Sequence, residues 1–174
     1  MGTIKKKCGM MLRTTGGMLA AGLLAGLCLT IGNVSAAFAG KLRKFYLTTG
    51  SFVGNQVLTA CASGYHTAAL WEILDPSNLE YDTGRGATND DAGFGPPTGS
   101  GFSGWIRTGF FSDTGTVPGH ANCANWTTAS GSGAEGTTVR LQDFWMSTTM
   151  YPIDPWVPGT QVCSSSVRVW CIKD

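Results

Sequence analysis

Cys163-Ser-Ser-Ser-Val-Arg-Val-Trp-Cys171-Ile-Lys-Asp174 is the stretch that decides the fold. Two cysteines bracket a short run of β-forming residues. Val167, Val169 and Cys171 fall on one face of an extended strand, and Arg168, Trp170 and Ile172 on the other. A cysteine this near the end of a run is expected to staple it, because an untied terminus frays. Two more cysteines, Cys61 and Cys123, lie upstream. The run therefore reads as the central strand to which both earlier parts of the chain are tied.

The first 39 residues read as a cleavable signal peptide. Lys5, Lys6, Lys7 and Arg13 form a basic region, Met18 to Ile31 is an apolar run, and Ala37-Phe38-Ala39 is a small-residue cleavage site before Gly40. An uncleaved anchor is the competing reading, but the run is shorter than the roughly 20 residues of a span. Cys28 follows Leu27, which does not suit a lipoprotein site. Residues 40–174 then form one domain with no membrane span, secreted or held in the periplasm or at the cell surface.

Of the twelve Lys and Arg, four lie in residues 1–39, together with none of the eleven acids, which leaves eight cations against eleven anions in the domain. This balance argues against nucleic acid as a partner, since no basic stripe remains to neutralise phosphates. Of the six cysteines, four fall in the domain, an even number in an exported chain. Two disulfides are expected, with three connectivities open. Zinc is the competing use, but there is no Cys-x-x-Cys pair and no histidine at ligand spacing beside a cysteine.

Arg43 to Thr49 reads as a strand stopped by Gly50. Asn55 is a candidate N-cap for a helix over Gln56 to Ala62, with Val57, Leu58 and Cys61 on its inner side. His66 to Leu74 continues as a helix or tight turn that buries Ala69, Leu70 and Ile73, and Pro76 ends it. Ser77 to Gly104 is a long glycine-rich loop. Gly104 to Gly109 is a short strand, Phe110 to His120 a loop, and Thr137 to Leu141 a strand. Asp143 to Gly159 carries Pro152, Pro155 and Pro158, which disfavour a central strand. It reads as an ordered excursion. Trp71, Trp105, Trp126 and Trp170 are assigned to the core or its edge.

Four short motifs resemble the C-type-lectin-like superfamily. Cys61-Ala-Ser-Gly64-Tyr-His-Thr-Ala68-Ala69-Leu70 is similar to its first-helix region, and Gly104-Trp105-Ile106-Arg107 to its Trp-Ile-Gly-Leu strand. The Cys163 to Cys171 spacing matches its last two cysteines. Cys123-x-x-Trp126 before a Ser/Gly-rich stretch, with the ending Val169-Trp170-Cys171-Ile172, resembles the endostatin branch and a bacterial family of exported endostatin-like domains. The resemblance implies an α+β, loop-rich fold with short antiparallel strands, one or two helices and nested disulfides, Cys61 with Cys171 and Cys123 with Cys163. It does not imply a sugar site. The Glu-Pro-Asn or Gln-Pro-Asp and Trp-Asn-Asp triplets of calcium-dependent lectins do not occur, and neither do endostatin's N-terminal zinc histidines.

No Gly-x-Ser-x-Gly nucleophile motif is present, so the chain is not read as an enzyme. An enzyme would need a cluster such as His120 beside Asp113. Asp82, Asn89, Asp90 and Asp91 offer the oxygens calcium prefers, although Asn/Asp-rich turns are more often only turns. No other cofactor is indicated. Trp145, Tyr151 and Trp156 are rigid aromatics in the proline-broken segment, suited to sugar stacking or a protein contact unless they close the core. The Asn125-Trp-Thr127 sequon lies inside the Cys-x-x-Trp motif and is taken as chance. The function expected is a non-catalytic binding or adhesion module that recognises a protein or glycan at the cell surface through loops 77–104 and 143–160. The alternative is a structural or envelope-associated protein without a small ligand.

Overall fold

The computed structural model describes residues 42–89, 93, 95–111, 115–143 and 155–174. The expected leader, and Trp145, Tyr151, Asp90, Asp91 and Asp113, lie outside them. Among the described residues seven strands form one sheet. They are β1 (Arg43–Leu47), β2 (Tyr65–Thr67), β3 (Leu79–Tyr81), β4 (Gly104–Trp105), β5 (Glu135–Leu141), β6 (Trp156–Val162) and β7 (Arg168–Lys173). The order is β3-β1-β7-β4-β5-β6, and β2 also pairs with β7. One edge of β7 carries β1, antiparallel. The other is shared by β2, opposite Cys171 to Lys173, and by β4, parallel at Arg168 and Val169. The C-terminal strand is central, as its sequence indicates. Helix is scarce: α1 (Leu70–Ile73) is a single turn, and 3-10 turns span Gly54–Thr59, Pro76–Asn78 and Ser100–Phe102.

The alternation in β7 sorts two cores onto the two sheet faces. Trp170 and Ile172 join Phe45, Leu47, Ile106 and Trp156 on one side. Val169 and Cys171 join Tyr46, Val57, Trp105 and both members of the second disulfide on the other. Of the four described indoles buried in these cores, three donate to backbone carbonyls, as a buried N–H favours. Trp105 donates to Phe52 O at 2.8 Å, Trp156 to Ile73 O at 2.7 Å and Trp170 to Val139 O at 2.9 Å. Gly136 is required where β5 crosses the second core, since a Cβ there would lie 2.7 Å from the Trp105 ring and 2.8 Å from Cys123 Sγ.

Both disulfides pair in the nested way the resemblance implies. Cys61 joins Cys171, a sequence separation of 110, and Cys123 joins Cys163, a separation of 40. The outer bridge ties the first third of the chain to the central strand.

Several expected elements differ. The helix over Gln56 to Ala62 is instead a 3-10 turn over Gly54–Thr59, preceded by Val53 rather than capped by Asn55, and Cys61 lies beyond it. A segment this short cannot offset the cost of helix nucleation by itself. Val57 is buried but Leu58 is exposed. His66 and Thr67 are not helical, because pairing with Ile172 and Cys171 of β7 outweighs local propensity. Within the long loop, Leu79–Tyr81 forms β3, parallel to β1. The segment read as an excursion up to Gly159 becomes β6 from Trp156 onward. Pro158 is tolerated there because β6 is an edge strand.

Candidate binding surface

A charged clasp sets the direction of α1. Glu72 Oε2 accepts the Ala69 N–H at 2.9 Å, which satisfies an otherwise unpaired donor at the helix start. The same carboxylate meets His66 Nε2 at 3.1 Å and Arg43 Nη1 at 3.2 Å. His66 Nδ1 meets Asp174 Oδ1 at 2.6 Å, and Arg43 Nη2 donates to Lys173 O at 2.7 Å. The clasp joins β1, β2, α1 and the end of β7.

Burial alone would raise the Glu72 carboxyl, but the Ala69 N–H, the His66 ring and the Arg43 guanidinium outweigh it and hold the carboxyl below its ordinary value. The folded pKa is therefore depressed. The stability it contributes is fully present above the unfolded value, 4.5, and is lost as pH falls through the folded value. Glu72→Gln is expected to lower stability by about 1 kcal/mol at neutral pH. It should also flatten the acid limb of the melting temperature measured between about pH 7 and pH 3. An unchanged acid limb would show that Glu72 does not set it.

With Glu72 turned inward, its neighbour Trp71 faces outward and is 57% exposed. Its sequence position suggests the core or its edge, and it is not among the buried core residues. Its ring lies across Gly109, where a Cβ would come within 2.6 Å of the indole. Gly109 has φ +74, so both its backbone and its missing side chain are needed to seat the ring. Next along the chain, Phe110 is stacked between two rings. Its centroid is 4.3 Å from His120 at 19° and 5.2 Å from Phe111 at 17°. Phe111 is 79% exposed.

A groove of about 260 Å³ runs beside these rings, lined by Leu58, Arg107, Phe110, Asn122, Asn125 and Trp126. Arg107 is the only charged lining residue, and among the described residues it makes no ion pair. Buried Asn122 links the two walls: its Nδ2 donates to Phe110 O at 2.6 Å and its Oδ1 accepts the Asn125 N–H at 3.0 Å.

The far wall is a left-handed turn. Cys123, Ala124, Asn125 and Trp126 have φ of 51, 52, 58 and 62°. For L-residues this conformation costs roughly 1–2 kcal/mol each, and it is ordinarily adopted by single residues. Four in succession persist only because the surroundings over-determine them. The Cys123–Cys163 bridge holds the first residue. Trp126 packs edge-on against Trp105 at 5.9 Å and 72°. The Trp126 N–H donates to Asn122 O at 2.7 Å and the Thr127 N–H to Cys123 O at 3.1 Å. The turn projects Asn125 into solvent beside Arg107. Strain of this kind concentrates at ligand clamps and switch regions.

The residues expected from sequence fall elsewhere. Trp156 is only 6% exposed, with its ring edge-on to Trp170 at 5.1 Å and its N–H used by Ile73. It cannot present a face to a ligand, which corrects its reading as a ligand-stacking aromatic. Trp145 and Tyr151 lie outside the described residues. The Asp82 carboxylate is already engaged. Its Oδ2 accepts from Tyr65 Oη at 2.7 Å and faces Arg85 Nε at 3.6 Å. Burial first, and this bond second, hold the Tyr65 hydroxyl above its ordinary value. Asn89 is exposed, while Asp90 and Asp91 lie outside the described residues. His120 is stacked on Phe110. Among the described residues no group of three or more His, Cys, Asp or Glu could hold a metal ion, and no helix is long and apolar enough to cross a membrane. Trp71, Arg107 and the left-handed turn were not read as site features from sequence. The adjacent pair Phe110-Phe111 in a glycine-bracketed loop was the available signal.

The chain has no match among protein-family models, curated proteins or solved structures.

Proposed function

We propose that the chain is an exported, non-catalytic binding or adhesion module with a C-type-lectin-like, endostatin-like fold, which recognises a protein or glycan at the cell surface. The nested disulfides and the central C-terminal strand support the fold reading. One observation carries the function: Trp71 and Phe111 are more than half exposed beside Arg107 and a strained left-handed turn. Aromatic and Arg side chains dominate binding hot spots, and large apolar side chains clustered on a surface mark contact sites. The contact surface is therefore assigned to α1 and residues 107–111 and 122–126. Of the aromatics expected in loops 77–104 and 143–160, the described tryptophan, Trp156, is in the core.

Trp71→Ala is expected to weaken capture of the partner by about tenfold or more. Stability should change by less than about 0.5 kcal/mol, because the side chain is exposed. Wild-type and variant protein would be compared on a glycan array and in envelope pull-downs, with thermal melts alongside. Equal capture by both would overturn the assignment. Wild-type self-association that Trp71→Ala abolishes would instead support the structural, envelope-associated reading.

A further inference from the structure

We infer that a second groove, on the N-terminal side of β4, binds an acidic glycan through an oxyanion held by Arg168. The groove encloses about 430 Å³ and is lined by Ser51, Ser100, Ser103, Ser165, Ser166 and Arg168, with no carboxylate among its lining residues. Its size falls in the range of small-ligand sites. None of the five serine hydroxyls makes a hydrogen bond among the described residues.

Arg168 is positioned rather than neutralised. Its guanidinium carbon lies 5.2 Å from the centre of the Phe102 ring, and Nη1 donates to Gly101 O at 3.1 Å. Its Nε is buried with no acceptor, and it has no ion pair among the described residues. Unsatisfied buried donors are rare in folded proteins. Arg168 also stands on the central strand, opposite Gly104, so the planar fork is mounted on a rigid element. With Nε buried, the Nη1 and Nη2 end of this held guanidinium is the part that suits the two oxygens of a carboxylate or sulfate. The hydroxyls favour a glycan over a bare ion. Each can donate and accept, as sugar hydroxyls require, and an isolated oxyanion would leave most of them unused. Residues 40–174 carry eight cations against eleven acids, so attraction of a polyanion would have to come from this site rather than from net charge. The inference does not rest on the Trp71 surface.

The test is calorimetric titration of the intact oxidised protein with chondroitin sulfate, hyaluronate, neutral dextran and poly-glutamate. Binding to one or both acidic polysaccharides, and not to dextran, is expected. The stronger of the two identifies sulfate or carboxylate as the anchor. Arg168→Gln should weaken binding by at least about tenfold. Ser166→Asp places a negative charge in the groove at an exposed position and should abolish binding with the melting temperature unchanged, which guards against misfolding of the arginine variant. Trp71→Ala should bind like the wild type. No binding to either acidic polysaccharide, equal binding to dextran, or full binding by Ser166→Asp would overturn the site. Poly-glutamate bound as tightly as the polysaccharides would overturn the glycan class.

Discussion

Replacing Cys61 and Cys171 together by alanine is expected to destabilise the domain by about 5 kcal/mol, set by the loop entropy that the bridge removes from the unfolded chain. The bridge joins residues separated by 110 positions, so it closes most of the domain into one loop. The inner bridge spans 40 positions, and by the same argument its loss costs about 4 kcal/mol. Native domains are stable by only about 5–15 kcal/mol, so either loss is severe. Both variants would be compared with the wild type by urea unfolding under oxidising conditions, with the outer pair expected to show the lower midpoint. A reversed order would mean that the left-handed turn from Cys123 to Trp126, and not loop length, sets the ranking. In that case the inner bridge is what holds the turn.

Trp156→Ala is expected to cost about 3–5 kcal/mol. The indole is buried against Phe45 and Trp170, and its N–H donates to Ile73 O. Truncation opens a large cavity and leaves the Ile73 carbonyl without that donor at the end of α1. Because α1 carries Trp71, the change should also weaken partner capture indirectly. A melting temperature lower by many degrees is the expected readout. An unchanged melting temperature with lost capture would return Trp156 to the ligand-contacting role that its sequence context suggests. Trp71→Ala gives the opposite expectation, lost capture with unchanged stability. The pair of variants thus separates core from contact surface.

Both tryptophans show how far sequence position can be read. Each follows or precedes a proline-marked boundary and stands among apolar neighbours. Trp156 was expected in a loop, yet it begins an edge strand whose inner face meets the first core. Trp71 was expected in the core or at its edge, yet it faces solvent and Glu72 takes the inward direction because it satisfies the Ala69 N–H, His66 and Arg43 together. The Arg43 and His66 partners are not visible from the local pattern, since Arg43 comes from β1 and His66 from a strand paired with β7. The left-handed turn was also hidden. Only Asn125 among its four residues readily adopts positive φ, and the bridge and the Trp105 contact impose that conformation on the rest.

By itself the sequence determined the central strand and its two faces, because alternation of side chains is a local property of extended backbone. It also determined the even cysteine count of the domain and, from the family resemblance, their nested pairing. The tertiary structure alone decided which aromatics face solvent, that Tyr65–Thr67 is a strand, and that Arg168 stands uncompensated among serine hydroxyls. Each of these depends on segments far apart in the chain meeting across β7, where ladder bonds and burial outweigh local preference.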